Sequence, residues 1–121
     1  MNSEQHLLNK HSIGKHRIID LFGCDISKLN FSMPINSFLQ AAISECGGIV
    51  VASRDHQFKP FGATAVILIE ESHVSVHTWP EQGKALVDIF ASGGLDIDRL
   101  TNKIYGFFGA QSKKIIDIDR G

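Results

Sequence analysis

Apolar positions along this chain alternate between a strand-like period of about two and a helical period of about 3.6. Residues 14–24 (GKHRIIDLFGC) carry a central apolar run that predicts a strand stopping near Gly23. Residues 25–33 predict a loop or irregular turn, after which Pro34 is suited to open a helix at its first position. Ile35, Phe38, Leu39, Ala42 and Ile43 then keep helical spacing as far as Gly47-Gly48. Residues 49–58 begin apolar and turn polar, a strand broken by Pro60 and Gly62. The β-branched stretch 63–69, ending in TAVILI, predicts a buried strand. Over 73–78, Val74 and Val76 alternate with His73, Ser75 and His77, so this strand has one apolar face and ends at Pro80. Residues 85–91 (ALVDIFA) predict another strand, closed by Gly93-Gly94. Ile97, Leu100, Ile104, Phe107 and Phe108 mark a second amphipathic helix, and 114–118 (KIIDI) a last strand.

The resulting order, β-α-β-β-β-β-α-β, predicts an α+β two-layer sandwich: a mostly antiparallel sheet with two helices on one face. Residues 1–13 are polar and weakly patterned, which predicts a flexible leader before a single domain over 14–121. A chain of 121 residues is short of core, so burial against a second copy would stabilise it. The formal charge is −1, and no basic stripe suggests a nucleic-acid partner; Lys113-Lys114 reads as a solvated strand end. No apolar run reaches the roughly 18 residues that span a bilayer, and the first residues lack the apolar core of a signal peptide. Cys24 and Cys46 have neither metal nor redox spacing and read as free thiols of a reducing, cytoplasmic compartment.

Functional groups crowd into residues 70–81, EESHVSVHTWPE. His73 and His77 lie four apart, a spacing that suits zinc on a helix and not across strand pleats, so no metal site is expected. There is no Gly-rich phosphate loop and no G-x-S-x-G elbow. On chemistry alone the segment fits an active site and equally a polar strand face with Trp79 packed at a dimer seam.

The string ESHVSVHTWPE resembles the self-processing motif of the short prokaryotic, pyruvoyl-dependent S-adenosylmethionine decarboxylase proenzymes, ESH-apolar-S-apolar-HTWPE. GKHRIIDLFGCD resembles the opening strand of that family, HQFKPFGATAVILI its H-x-F-x-P-x-G segment, and KALVDIFASGG its A-x-V-D-[VI]-F stretch. The resemblance covers roughly residues 14–100. It implies that the Ser72 hydroxyl attacks the carbonyl of Glu71 and that the chain ends as fragments 1–71 and 72–121, with a pyruvoyl group made from Ser72. That group would hold a small amine-bearing substrate as a Schiff base and act as its electron sink. The resemblance also implies a proton shuttle for processing at His77, a supporting hydroxyl at Thr64, an aromatic for the substrate's adenine at Phe58 and a carboxylate for its ribose at Glu81. His73, Ser75 and Trp79 would line or position the site. Family members pair as homodimers with active sites near the interface.

Two features cut across the resemblance. Strand alternation puts Ser72 and His77 on opposite faces, so only a bulge or kink would let both reach one site. The family's acid cysteine, which protonates the product carbon, is replaced by Ser92, and a hydroxyl is a far weaker acid than a thiol. Three readings follow: S-adenosylmethionine decarboxylation in spermidine synthesis, ornithine or arginine decarboxylation by a relative of the same family, and a non-catalytic paralogue that binds a ligand or partner.

Overall fold

The computed structural model describes residues 12–121. Along the chain run β1 (Gly14–Phe22), α1 (Ile26–Leu29), α2 (Ser32–Glu45), β2 (Val50–Gln57), β3 (Ala63–Ile69), β4 (Ser72–Trp79), β5 (Lys84–Ala91), α3 (Ile97–Phe107) and β6 (Ser112–Arg120). A 3-10 turn, Pro80–Gln82, joins β4 to β5. The six strands form one sheet in the order β2-β3-β4-β5-β1-β6, and every pairing is antiparallel. This is the two-layer class the patterning predicts.

Alternation decides which face is covered. Ile19 and Leu21 of β1, Ala65 and Ile67 of β3, Val74 and Val76 of β4, and Val87 and Ile89 of β5 are buried. They meet Ile35, Leu39 and Ile43 of α2 and Leu100 and Ile104 of α3 in one core. Each fully buried aliphatic side chain contributes roughly 1.5–3 kcal/mol. The two helices also touch each other, where the rings of Phe38 and Phe107 stack with centroids 4.1 Å apart. None of the described helices covers the opposite face. On it Leu68, Ile116 and Ile118 remain 49%, 45% and 43% exposed.

Several boundaries differ from the sequence expectation. The loop expected over 25–33 contains α1, capped by Asp25, whose carboxylate accepts from the Ser27 N–H at 3.0 Å. Helix α2 begins at Ser32, so Pro34 is its third residue and not its first. Proline is tolerated there because first-turn N–H groups have no partner inside the helix. Ser32 starts the helix because its own N–H donates to Gln57 Oε1 and its hydroxyl to Asp55 Oδ1. The expected leader lies outside the described residues except for Ser12 and Ile13. The Ile13 N–H donates to the Arg120 carbonyl at 2.9 Å and extends the β1–β6 pairing. None of the described helices is long and apolar enough to cross a membrane.

β6 is exposed along its whole length, and one buried group ties it down. Arg17 of β1 is 8% exposed. Its Nε and Nη2 donate to the two carboxylate oxygens of Asp117 at 2.8 and 2.9 Å, and its Nη1 donates to Asp98 and Thr101 of α3. The same guanidinium thus joins edge strand, inner strand and helix. The Arg17 hydrogen bond holds the Asp117 carboxyl below its ordinary range. This contribution to stability is therefore fully present above the ordinary aspartate range, and it disappears as pH falls through the lowered native value. Arg17→Met should cost about 2 kcal/mol at neutral pH, since Asp117 and Asp98 can partly rehydrate. The urea midpoint measured at neutral and at strongly acidic pH checks this, with the gap between variant and parent closing in acid.

Candidate active site

Strand β4 carries the chemistry, and its register is fixed on both sides. It pairs continuously with β3 from Ile69↔Ser72 to Thr64↔His77, and with β5 from His73↔Phe90 to Trp79↔Lys84. No bulge interrupts it. Ser72 and His77 therefore stay on opposite faces, about 17 Å apart along the strand. The condition that would bring them to one site within a single chain is not met, and the expected residues form two groups at opposite ends of β4.

The first group surrounds the 71–72 peptide bond. Because Ile69 pairs with Ser72, only Glu70 and Glu71 make the hairpin turn. So short a turn needs a residue with positive φ, a place usually taken by glycine. Here Glu71 adopts φ 65°. A side chain in that left-handed region costs about 1–2 kcal/mol, so the residue ahead of Ser72 is strained. Across from it, Ser92 follows the end of β5. Its hydroxyl donates to the Glu71 carbonyl oxygen at 2.7 Å, and its N–H donates to Ser72 Oγ at 3.0 Å. The Ser72 hydroxyl reaches the Ser92 carbonyl at 3.4 Å.

These groups open into a cavity of about 300 Å³ lined by Gly47, Gly48, Glu70, Glu71, Ser72, Ser92, Gly93 and Gly94. Both glycine pairs read as element ends in the sequence, yet they form the wall beside Ser72. At Gly47 (φ 91°) an added Cβ would lie 2.9 Å from the Gly94 carbonyl oxygen, so the approach of the two loops requires glycine. On the open sheet face, Leu68, Glu71, Ser72, His73 and Phe90 edge a second depression.

The second group lies at the far end of β4. Phe58, Phe61, Thr64, His77, Trp79 and Glu81 line a cavity of about 300 Å³. This collects Phe58, Thr64, His77, Trp79 and Glu81, five of the positions the sequence singles out, and adds Phe61. Thr64 and His77 are cross-strand partners, and Thr64 Oγ1 lies 2.8 Å from His77 Nδ1. The hydroxyl thus orients the imidazole. Phe58 stands edge-on to His56 and is 48% exposed, which leaves its ring available to a ligand. Glu81 sits in the 3-10 turn that Pro80 opens. The arrangement supplies aromatic faces, a carboxylate and an imidazole around a space of ligand size.

Comparison with known proteins gives one family. The model of the S-adenosylmethionine decarboxylase family matches residues 15–121. The S-adenosylmethionine decarboxylase proenzyme of Methanococcus vannielii is 37% identical over 110 residues, 90% of each chain. That of Methanococcus aeolicus is 39% identical over 113 residues, 93% of this chain and 96% of its own. The crystal structure of the adenosylmethionine decarboxylase of Aquifex aeolicus superposes with a TM-score of 0.83 at 32% identity, covering 91% of this chain and 92% of that one.

The strain at Glu71 can be measured apart from any chemistry. In a Ser72→Ala background, which keeps the chain whole, Glu71→Gly should raise stability by about 1 kcal/mol because glycine adopts the left-handed conformation freely. The shift in denaturant midpoint reads it, and an unchanged or lower midpoint would show the turn to be unstrained.

Proposed function

This chain belongs to the S-adenosylmethionine decarboxylase family, and we propose that it severs its own 71–72 peptide bond, keeps a pyruvoyl group at Ser72 and decarboxylates S-adenosylmethionine. The product would serve as aminopropyl donor in spermidine synthesis. One observation carries the reading: a serine hydroxyl lies beside a residue in a strained, left-handed conformation whose carbonyl already accepts a short hydrogen bond. That is what an intramolecular N-to-O acyl shift requires, and it fits Ser72 as the source of the group.

A ketone conjugated to an amide carbonyl supplies an electron sink for a carboxylate leaving from an amine-bearing carbon. The chain's own residues do the rest. Phe58 and Trp79 offer ring faces to an adenine, and Glu81 offers two acceptor oxygens to a ribose diol. His77, held through Nδ1 by Thr64, keeps Nε2 for proton transfer. This set favours a nucleoside-bearing substrate over free ornithine or arginine, which have no use for an aromatic wall and a diol acceptor. The buried thiols of Cys24 and Cys46 support a reducing, cytoplasmic setting.

The two groups would complete one another between copies. We infer a homodimer stacked through the helix-free sheet face, where Leu68, Phe90, Ile116 and Ile118 would be buried. A two-fold axis near the middle of β4 reverses that strand, so the Trp79 end of one copy lies over the Ser72 end of the other. His77 and Thr64 would then approach the partner's 71–72 turn, which also edges the open face.

Two experiments test these statements. Intact mass should show the fragments 1–71 and 72–121, and Ser72→Ala should leave one whole chain that releases no labelled CO2. Release should exceed background with S-adenosylmethionine and not with ornithine or arginine offered alongside it; a preference for either amino acid would overturn the substrate assignment. Sedimentation equilibrium should give twice the chain mass, whereas Leu68→Lys combined with Ile116→Lys should sediment as a monomer and lose at least 100-fold in CO2 release. A fully active monomer would remove the dimer from the account.

A further inference from the structure

The aromatic wall of the cavity at the Trp79 end stands on a short connection. Phe58 and Phe61 both lie between β2 and β3. Two main-chain hydrogen bonds shape this connection. The Phe58 N–H closes it on the Gly62 carbonyl at 2.9 Å, and the Gly62 N–H ties it to the Asn30 carbonyl at 3.0 Å. One side chain adds four more. Gln57, the last residue of β2, donates through Nε2 to the carbonyls of Asn30 at 2.8 Å, Phe58 at 3.0 Å and Gly62 at 3.0 Å. Its Oε1 accepts the N–H of Ser32, the first residue of α2, at 2.8 Å. A single amide thus commits both its donor and its acceptor atoms to joining the loop and the segment 30–32.

Gln57 itself stays out of the cavity. It pairs with Ala63, which is buried on the helix side of the sheet, and it is not among the residues that line the space. The motif H-x-F-x-P-x-G leaves position 57 open, so the resemblance assigns it nothing. Resting on the reading of this cavity as the nucleoside site, we propose that Gln57 is a positioning residue for the substrate, holding the loop so that the Phe58 and Phe61 rings are in place before the ligand arrives.

The rings need such a hold. Phe58 and Phe61 are 48% and 51% exposed, so packing alone fixes them weakly. Phe61 meets Phe31 edge-on, with centroids 5.8 Å apart, and Phe31 directly precedes Ser32. Gln57 therefore fixes both members of that pair, Phe61 through the loop and Phe31 through the start of α2. A ring ordered only as the ligand binds subtracts its lost freedom from the affinity, whereas a ring held beforehand does not. A free amino acid has no base to lay against these rings and gains nothing from their order. Gln57 thus acts on the choice of a nucleoside-bearing ligand without touching it.

The test separates binding from turnover. In the Ser72→Ala chain, quenching of the single tryptophan, Trp79, reads the binding of 5′-methylthioadenosine, a nucleoside thioether with no carboxylate to lose. Gln57→Glu keeps an acceptor for the Ser32 N–H and sets an oxygen against the three carbonyls, so it should weaken binding about tenfold. Gln57→Lys restores donors and should stay within a few-fold of the Ser72→Ala parent. With Ser72 intact, Gln57→Glu should raise KM for S-adenosylmethionine about tenfold and leave kcat within a few-fold, the split expected when only binding is lost. Undiminished binding by the Glu variant, equal weakening by Glu and Lys, or a fall in kcat at unchanged KM would overturn the role and leave the nucleoside site standing. No binding by the Ser72→Ala parent, or binding that Phe58→Ala does not weaken, would instead remove the underlying reading and the role with it. Should Gln57→Glu not fold, Gln57→Met, which lacks donors as well, takes its place in the comparison with Gln57→Lys.

Discussion

Continuous pairing of β4 with both neighbours is the constraint on which the rest of the structure depends. Side chains on a strand alternate, so a slip of one residue would turn Val74 and Val76 away from the helices and His73 and Ser75 into the core. Burial of the two valines forbids that slip. Once the register is set, Ile69 must pair with Ser72, and only two residues remain for the turn. A two-residue turn forces positive φ, and Glu71 carries it. The same register pairs His73 with Phe90 and so brings Ser92, two residues beyond Phe90, against the turn. Core packing thus positions a left-handed Glu71, the Ser72 hydroxyl beside it and the Ser92 donor on its carbonyl.

Much of this was legible in the sequence. The β-branched runs of β3 and β4 and the helical spacing of Ile35, Leu39 and Ile43 each name one buried face, and those faces meet in the core. Motif residues 58, 64, 77, 79 and 81 were recognisable by resemblance, and they line one cavity. The turn was not legible, because Glu-Glu carries none of the Gly or Asn signals that mark positive φ. Only counting the residues between the two strand patterns would have exposed it. Gly47 and Gly93 were legible as breakers but not as cavity walls, because their role depends on two loops meeting across the fold. The residues that hold Ser32 at the start of α2, Asp55 and Gln57, come from β2, beyond any local pattern.

Strand alternation supplied one inference that a motif could not. Residues five apart on an unbroken strand face opposite ways, so the motif's serine and histidine are separated although they stand together in the text. The structure pairs His77 with Thr64 and Ser72 with Ser92. A small domain whose described helices leave one partly apolar sheet face uncovered has reason to associate, and association through that face is also what would bring opposite ends of β4 together. Stability and chemistry then make the same demand on the surface.

Sheet topology also determines what a break between residues 71 and 72 does to the molecule. Residues before the break supply β1, β2, β3 and α2; those after it supply β4, β5, β6 and α3. In the sheet these are interleaved, because β1 lies between β5 and β6 and β3 lies against β4. Separating the pieces would require stripping three antiparallel ladders, β3–β4, β1–β5 and β1–β6, and withdrawing Arg17 from Asp117 and Asp98. It would also divide the single apolar core, to which both pieces contribute. Cutting at an exposed turn removes none of these. The chain can therefore give up that one peptide bond and keep its architecture. A self-cleaving protein needs that property if the group formed at the break is to remain in the cavity where it was made.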